Sequence, residues 1–140
     1  MNKTEKFLIV GATGLIGRSI IEELNGSHQW MGTYFSKKRS GLIPLDVNDK
    51  RRIGDIFSKE APTHVVYCAN LSGGVDFCEK NPDLARKLHF EGAVNIAGEC
   101  LKHKAKLIFI SSECVFDGKK ESYDENDEVN PLNVYGKCKV

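Results

Sequence analysis

Apolar and polar residues alternate along this chain in blocks that predict strands and helices in turn. The first apolar block, residues 7–10, has the length and β-branched content of a buried strand, and it leads directly into glycines at positions 11, 14 and 17. Behind these glycines Ile16, Ile20 and Leu24 recur every fourth residue, which predicts an amphipathic helix ending at Asn25 and Gly26. The chain therefore begins with a strand, a glycine-rich turn and a helix.

Further strands are predicted at residues 29–35, 41–47, 63–69 and 106–110. A helix capped by Asn48 or Asp49 is predicted before the fourth strand, and a longer helix is predicted between the fourth and the fifth. The longer helix is marked by Leu84, Leu88, Val94, Ala97 and Leu101. Since strands and helices alternate, the sequence predicts an α/β protein with a doubly wound parallel sheet of about five strands.

The glycine-rich turn is a candidate phosphate-binding site. Backbone N–H groups are exposed where a strand passes into a helix, and the helix dipole favours negative charge there. Gly11 would permit the tight turn, Gly14 would let a pyrophosphate approach the backbone, and Gly17 would let the helix lie close to the strand. Because a strand precedes these glycines and a helix follows them, we expect a dinucleotide cofactor at this turn.

The residues after the second predicted strand bear on the choice of cofactor. In dinucleotide-binding folds an acidic residue at this position holds the 2′-hydroxyl of NAD. This chain has Ser36, Lys37, Lys38 and Arg39 there, and no carboxylate before Asp46. Because cations suit a 2′-phosphate, the sequence favours NADP(H), with NAD(H) as the alternative. A solvated basic loop would have the same composition.

Candidate catalytic residues lie in the last thirty residues of the chain. Ser111 and Ser112 follow the fifth predicted strand, at the sheet edge where open α/β proteins bind their ligands. Tyr135 and Lys139 are four residues apart and would share one face of a helix. The ammonium of Lys139 would favour the phenolate of Tyr135 and so lower its pKa, and Ser112 would donate a hydrogen bond to a substrate oxygen.

Composition narrows the class of protein. The 140 residues are 41% hydrophobic and 28% charged, which suits one globular domain, and a net charge of +1 does not favour nucleic acid or an anionic membrane as partner. No stretch approaches the roughly 18 apolar residues of a membrane span. Five cysteines without a C-x-x-C pair are typical of a reduced cytoplasmic chain. The four histidines lack the spacing of metal ligands, so no metal site is predicted.

Seven motifs spread over the chain carry a resemblance to a known family. They are GATGLIG at 11–17, LDV at 45–47, CAN at 68–70, VDFCE at 75–79, SSECVFDG at 111–118, YDE at 123–125 and NPLNVYGKCK at 130–139. The chain resembles the extended short-chain dehydrogenase/reductase family, and within it the dTDP-4-dehydrorhamnose reductases and the related NAD-dependent sugar-nucleotide epimerases and dehydratases. This resemblance implies a Rossmann-type NAD(P)-binding domain over residues 1–140.

The resemblance also implies roles for particular residues. Ser112, Tyr135 and Lys139 would form the catalytic triad, with Tyr135 as the proton donor to a keto-sugar. The cofactor would be bound by Tyr135 and Lys139 together with Gly11, Thr13, Gly14, Leu15, Ile16, Gly17, Ser36, Lys37, Arg39, Asp46, Val47, Cys68, Ala69, Asn70 and Ser111.

The activity implied by the resemblance is NADP(H)- or NAD(H)-dependent reduction of a nucleotide-linked 4-keto-sugar in the cytoplasm. One alternative is a sugar-nucleotide epimerase or dehydratase. The other is a non-catalytic dinucleotide-binding or regulatory module, as in the regulatory subunit of methionine adenosyltransferase.

This chain departs from the family pattern at two points. His89 stands where the family usually carries asparagine. The sequence also stops one residue after Lys139. From this we expect a truncated domain without the C-terminal lobe that binds the nucleotide sugar, and a fifth strand whose unpaired edge would favour a homodimer.

Overall fold

A single parallel sheet forms the centre of the molecule in the computed structural model, which describes residues 5–140. Its strands are β1 (Lys6–Val10), β2 (Gln29–Tyr34), β3 (Ile43–Pro44), β4 (His64–Tyr67) and β5 (Lys106–Phe109). They lie in the order β3-β2-β1-β4-β5, and each neighbouring pair is parallel. The strand order therefore reverses between β1 and β4, where doubly wound sheets bind their ligands. The predicted Rossmann-type fold is confirmed.

Helices connect the strands on both faces of the sheet. They are α1 (Leu15–Leu24), α2 (Lys50–Glu60), α3 (Gly74–Lys80), α4 (Pro82–Ala85), α5 (Gly92–His103) and α6 (Val134–Lys137). A π-helical turn, Arg86–Glu91, joins α4 to α5 in one continuous helical run. The sequence pattern did not predict α3, because a helix of seven residues that itself begins with a glycine is too short for a clear period. None of the helices within residues 5–140 is long and apolar enough to cross a membrane.

Apolar side chains fill both faces of the sheet. Along β1, Leu8 and Val10 join the layer under α2 and α5, whereas Ile9 joins the layer under α1. These three residues are at most 1% exposed. Successive side chains of a strand point to opposite faces, so a strand buried on both sides reads as an unbroken apolar run. This arrangement accounts for the first apolar block of the sequence.

The second helix begins and ends as its sequence suggests. Of the two predicted caps, Asp49 makes the contact: its Oδ1 accepts the N–H of Arg52 at 2.9 Å. The apolar side chains of α2 are buried against the sheet. The helix ends at Ala61, which has a left-handed backbone with φ of 46°. Asp49 thus satisfies one of the N–H groups that a helix leaves unpaired at its start.

The long helical run forms as predicted, but several residues that marked it lie on its solvent side. Leu84, Val94 and Leu101 are 49%, 53% and 83% exposed. The buried side of the run is formed instead by Ala85, His89, Gly92, Ile96 and Cys100. Small residues occupy most of these positions because the helix approaches the sheet closely. A search for large apolar residues therefore indicates the wrong face.

Candidate active site

A cleft of about 940 Å³ opens at the carboxyl ends of the strands. Apart from Gly17 and Arg39, every residue predicted to bind the cofactor or to act in catalysis lines it. A smaller cavity of about 540 Å³ lies at the other end of β1, beside Glu5 and His28, and contains none of those residues. The larger cleft is therefore the candidate site.

The glycine turn forms one wall of the cleft and is held tightly to its neighbours. Gly11 has φ of +95°, and a Cβ there would lie 2.6 Å from the backbone of Ala69. The N–H of Ala12 donates to the carbonyl of Thr33 at 2.9 Å. A Cβ on Gly17 would lie 2.4 Å from the carbonyl oxygen of Gly11. Gly17 therefore lies behind the turn, where it brings α1 against the strand, and does not line the cleft.

The start of α1 fits a pyrophosphate group. Gly14, which precedes the helix, is exposed, and a Cβ there would meet only the carbonyl of Gly11, at 3.4 Å. Among the described residues no side chain caps this helix start, and its first turn contains no acidic residue. The first N–H groups of a helix have no partner within it, and they carry partial positive charge. An anionic group can therefore approach the backbone here without displacing a protein contact.

Only part of the basic segment after β2 lines the cleft. Ser36 and Lys37 line the cleft, whereas Arg39 lies outside the lining. No acidic side chain of residues 5–140 forms an ion pair with Lys37, Lys38 or Arg39. Lys37 is thus the cation of this segment that is available to a ligand in the cleft.

The turn after β3 forms the facing wall. Asp46 Oδ1 accepts the N–H of Asn48 at 2.9 Å, so the carboxylate shapes the turn itself. The carbonyl of Val47 accepts a hydrogen bond from Asn95 Nδ2 at 3.0 Å, which ties the turn to α5. These contacts fix a buried apolar side chain, Val47, at the edge of the cleft.

Ser112, Tyr135 and Lys139 meet in the cleft beyond the ends of β4 and β5. The ammonium nitrogen of Lys139 lies 5.4 Å from the centroid of the Tyr135 ring and donates to the carbonyl of Ile110 at 2.9 Å. The hydroxyl of Ser112 is close enough to Tyr135 to act on the pKa of its phenol. The fold thus brings together three side chains from two segments that are more than twenty residues apart in sequence.

The pKa of Tyr135 moves in the opposite direction from our expectation. Burial raises this pKa, the electrostatic effect of the nearby Cys114, Cys78 and Glu113 side chains adds to the rise, and the nearby hydroxyl of Ser112 opposes it. Burial also lowers the pKa of Lys139, whose ammonium is directed at a backbone carbonyl. Burial thus decides the direction of the shift at Tyr135, and the effect of Lys139 on the phenolate stays a prediction. Tyr135 is a protonated phenol at neutral pH.

His89 packs directly on Tyr135. Its side chain is 0% exposed, and among the described residues neither ring nitrogen has a hydrogen-bond partner. The imidazole and phenol rings meet edge to face, with centroids 5.0 Å apart and an interplanar angle of 87°. Burial, helped by the nearby charge of Lys139, lowers the pKa of His89 to about 4. A neutral imidazole therefore occupies the position where the family usually has asparagine.

A π-helical turn holds His89 in this position. The N–H of Gly92 donates to the carbonyl of Lys87, five residues earlier, and the Tyr67 hydroxyl donates to the carbonyl of Leu88 at 2.5 Å. A Cβ on Gly92 would lie 2.7 Å from the Tyr67 oxygen. The absence of a side chain at Gly92 thus leaves room for Tyr67, whose hydroxyl donates to a backbone carbonyl of the widened π-helical turn. Sequence reasoning missed this arrangement, whose only local signal is a glycine inside a helical pattern.

Ser112 already uses its hydroxyl proton within the protein. It donates to Glu113 Oε2 at 2.8 Å and accepts the N–H of Cys114 at 3.2 Å. The bond from Ser112 is the main reason that the pKa of Glu113 is lowered. Ser112 must therefore turn away from Glu113 before it can donate to a substrate oxygen.

The structure adds residues to the cleft that sequence reasoning did not select. They are Val10, Thr33, Tyr34, Phe35, Leu45, Asn48, Leu71, Ser72, Phe77, Leu84, Lys87, Leu88, Ile110 and Glu113. Half of them are adjacent in sequence to a predicted residue near a strand end. Phe77 lies in the VDFCE motif, which the resemblance indicated without a role. Leu84 and Lys87 have no local signal, since only the packing of α4 and the π turn brings them to the cleft.

Cysteine and histidine side chains show no sign of metal chemistry. All five cysteines are free, and three of them are buried. Within residues 5–140 no cluster of three or more His, Cys, Asp or Glu side chains is arranged to hold a metal ion. The candidate site consists of the glycine turn and the Ser112, Tyr135 and Lys139 group.

Comparison with protein families identifies the family of this chain. The family model described as the RmlD substrate binding domain matches residues 5–140. The chain belongs to this family. Among the curated relatives of this RmlD-family chain is methionine adenosyltransferase 2 subunit beta of Bos taurus, which is 36% identical over 137 residues. That alignment covers 96% of this chain and 40% of the relative.

Solved structures of the same family agree with the fold. The crystal structure of a hypothetical dTDP-4-dehydrorhamnose reductase from Sulfolobus tokodaii matches with a TM-score of 0.89 and 32% identity, over 96% of this chain and 49% of that one. The dTDP-4-dehydrorhamnose reductase of Bacillus anthracis in complex with NADP matches with a TM-score of 0.85 and 33% identity, over 99% and 48%. The chain thus spans about half the length of these structures and about 40% of the curated relative.

Proposed function

We propose that this RmlD-family chain provides the cofactor side and the proton-transfer group of a reductase that acts on a nucleotide-linked keto-sugar. The observation that carries the proposal is a single cleft in which an uncapped helix start faces Ser112, Tyr135 and Lys139. A dinucleotide bound along the strand ends would span from the glycine turn to these three side chains. The names of the similar reductases support the substrate class.

The chain's own groups would divide the work of binding. The N–H groups at the start of α1 would hold the pyrophosphate, and the turn at Asp46 and Val47 would flank the adenine. Lys139, already anchored on the carbonyl of Ile110, has two remaining ammonium protons for a ribose hydroxyl. A reduced nicotinamide supplies a hydride when it is bound.

Tyr135 would supply the proton that reduction of a carbonyl requires. A phenol is protonated at neutral pH, and burial, which raises the pKa of Tyr135 further, keeps it so; it can therefore donate to a keto oxygen. Ser112 would orient that oxygen once its hydroxyl turns away from Glu113. The neutral ring of His89 packs edge to face with the ring of Tyr135. This protonation state favours the direction of reduction.

NADPH oxidation in the presence of dTDP-4-keto-sugars tests the proposal. Assayed together with a lobe that binds the nucleotide sugar, this domain should give turnover that depends on both the cofactor and the sugar nucleotide. The absorbance of NADPH at its nicotinamide band gives the rate, and dTDP alone serves as the control ligand. NADPH binding without oxidation, across a panel of nucleotide-linked keto-sugars, would contradict a reductase.

A regulatory cofactor-binding module is the second candidate function. It is favoured by the 36% identity with methionine adenosyltransferase 2 subunit beta, the name of which describes a subunit of another enzyme's assembly. Such a module would bind the dinucleotide through the glycine turn without using Tyr135. The NADPH assay separates the two functions, because only the reductase consumes the cofactor.

NADP(H) is the cofactor that we propose for this site, because Lys37 lines the cleft without an acidic partner among the described residues. Reversing its charge replaces an attraction to the 2′-phosphate with a repulsion of similar size. We expect Lys37→Glu to weaken NADPH binding about 10–30-fold and to leave NADH binding unchanged.

The matched control for Lys37→Glu is Arg39→Glu, which makes the same charge change two residues away and outside the cleft lining. We expect it to weaken NADPH binding by no more than about threefold, because a charge in water is screened. Fluorescence titration with both reduced cofactors measures all four affinities. Equal losses of NADPH and NADH affinity in Lys37→Glu would contradict recognition of the 2′-phosphate.

A further inference from the structure

The helix that carries Tyr135 cannot be stable on its own. Helix α6 has four residues, far fewer than the ~12–15 at which isolated helices become marginal in water. Its side chains must nevertheless hold Tyr135 beside Ser112 and His89. The geometry of the candidate site therefore depends on contacts that other segments make with α6.

Two side chains satisfy N–H groups at the start of α6. Asn133, the preceding residue, accepts the N–H of Gly136 through Oδ1 at 2.7 Å. Glu79, on α3, accepts the N–H of Val134 through Oε1. Within residues 5–140 the Glu79 bond is the one side-chain hydrogen bond that α6 receives from another helix or strand. A carboxylate is well suited to this place, because it meets the positive end of the helix and makes a charge-assisted bond.

The opposite side of α6 is fixed by close backbone packing. A Cβ on Gly136 would lie 2.1 Å from the carbonyl oxygen of Cys114, in the turn that follows Ser112. The short helix is thus held between that turn and Glu79. If the Glu79 contact were lost, the first turn of α6 would be free to move, and with it the ring of Tyr135.

We infer that Glu79 is a positioning residue, the carboxylate of which fixes the first turn of α6 and so holds the phenol of Tyr135 in the cleft. The inference rests on the proposed function only in giving Tyr135 a chemical role. Among the described residues Glu79 makes no hydrogen bond or ion pair with Ser112 or Lys139, and it does not line the cleft. Its neighbour on α3, Phe77, does line it. The Glu79 contact therefore also connects α3, which carries Phe77, to α6, which carries Tyr135.

Three variants test the inference. Glu79→Ala removes the acceptor, Glu79→Gln keeps an amide oxygen at the same position, and Lys80→Ala changes the next residue of α3 without touching the contact. Hydrogen exchange of the Val134 amide, followed by NMR, reports the contact directly. We expect Glu79→Ala to lose about tenfold in protection at this amide, Glu79→Gln to retain most of it, and Lys80→Ala to match the unchanged protein.

A second measurement reports Tyr135 itself and needs no turnover. The phenol is titrated by its phenolate absorbance, with the Tyr135→Phe variant subtracted to remove the other tyrosines. Burial raises this pKa. We expect the pKa to fall back toward its usual value in Glu79→Ala and to stay raised in Glu79→Gln. In the active enzyme, kcat should fall about 10²-fold in Glu79→Ala, with NADPH affinity unchanged.

The outcomes test the positioning role of Glu79 independently of the proposed reductase function. Unchanged amide protection in Glu79→Ala, or an equal loss in Glu79→Gln, overturns the inference. A normal Tyr135 titration and a normal kcat in a variant that has lost protection overturn it as well. Absence of turnover in the unchanged protein contradicts the proposed reductase alone. The exchange and titration results then decide the role of Glu79.

Discussion

Tyr135→Phe should lower the turnover of the proposed reductase by about 10²–10⁴-fold, the usual contribution of a positioned acid or base. The substitution removes the hydroxyl but keeps the ring, so the contact with His89 at 5.0 Å between centroids is retained. NADPH affinity should change little, because the pyrophosphate site lies at the start of α1, away from this ring. Steady-state turnover and cofactor titration on the same preparation measure both effects.

The control for Tyr135→Phe is the same change at Tyr123. Tyr123 donates to Asp117 Oδ1 at 2.6 Å in a loop outside the cleft lining. We expect Tyr123→Phe to affect stability but not turnover per folded molecule. Turnover within about threefold of normal in Tyr135→Phe would show that another group supplies the proton. Tyr135 would then line the cleft without taking part in proton transfer.

Gly17→Ala should weaken both the fold and cofactor binding. The added Cβ would lie 2.4 Å from the Gly11 carbonyl oxygen and 2.8 Å from Ala12 Cα, and backbone atoms cannot move aside as a side-chain end can. Overpacking of this kind costs about 1–3 kcal/mol of stability. The glycine turn must shift to relieve the contact, so NADPH affinity should fall about 10–100-fold, the value of one hydrogen bond to a charged group.

Gly98→Ala is the matched control, since Gly98 also lies in a helix but a Cβ there would meet no atom within 4 Å. We expect this change to raise stability by about 0.5–1 kcal/mol and to leave cofactor affinity unchanged. Urea denaturation and fluorescence titration measure the two quantities. Stability and affinity that are unaffected by Gly17→Ala would contradict the close packing of α1 against the glycine turn.

Much of the fold could be predicted from local pattern. Each of the five predicted strands overlaps an observed one. Of the two predicted caps of α2, Asn48 and Asp49, the observed cap is Asp49. Local pattern predicts these elements because the spacing of apolar residues in a strand or helix reflects which of its sides are buried, and this spacing can be read from neighbouring residues alone. The buried face of α5 could not be predicted from local pattern in the same way. Leu101 is 83% exposed, whereas Cys100 is 3% exposed, because the close approach to the sheet selects small residues.

The sequence by itself determined the parallel α/β fold, the glycine turn and the segments that supply the site. Gly11 and Gly17 are needed wherever a backbone turns this tightly, so their spacing indicates the turn without knowledge of the rest. Only the tertiary structure decided the surroundings of Tyr135 and the direction in which its pKa shifts. The raised pKa of its phenol comes from burial, and its support comes from His89 and from Glu79, which lies 55 residues from Val134 in sequence. Such contacts depend on how distant segments pack, which no local period encodes.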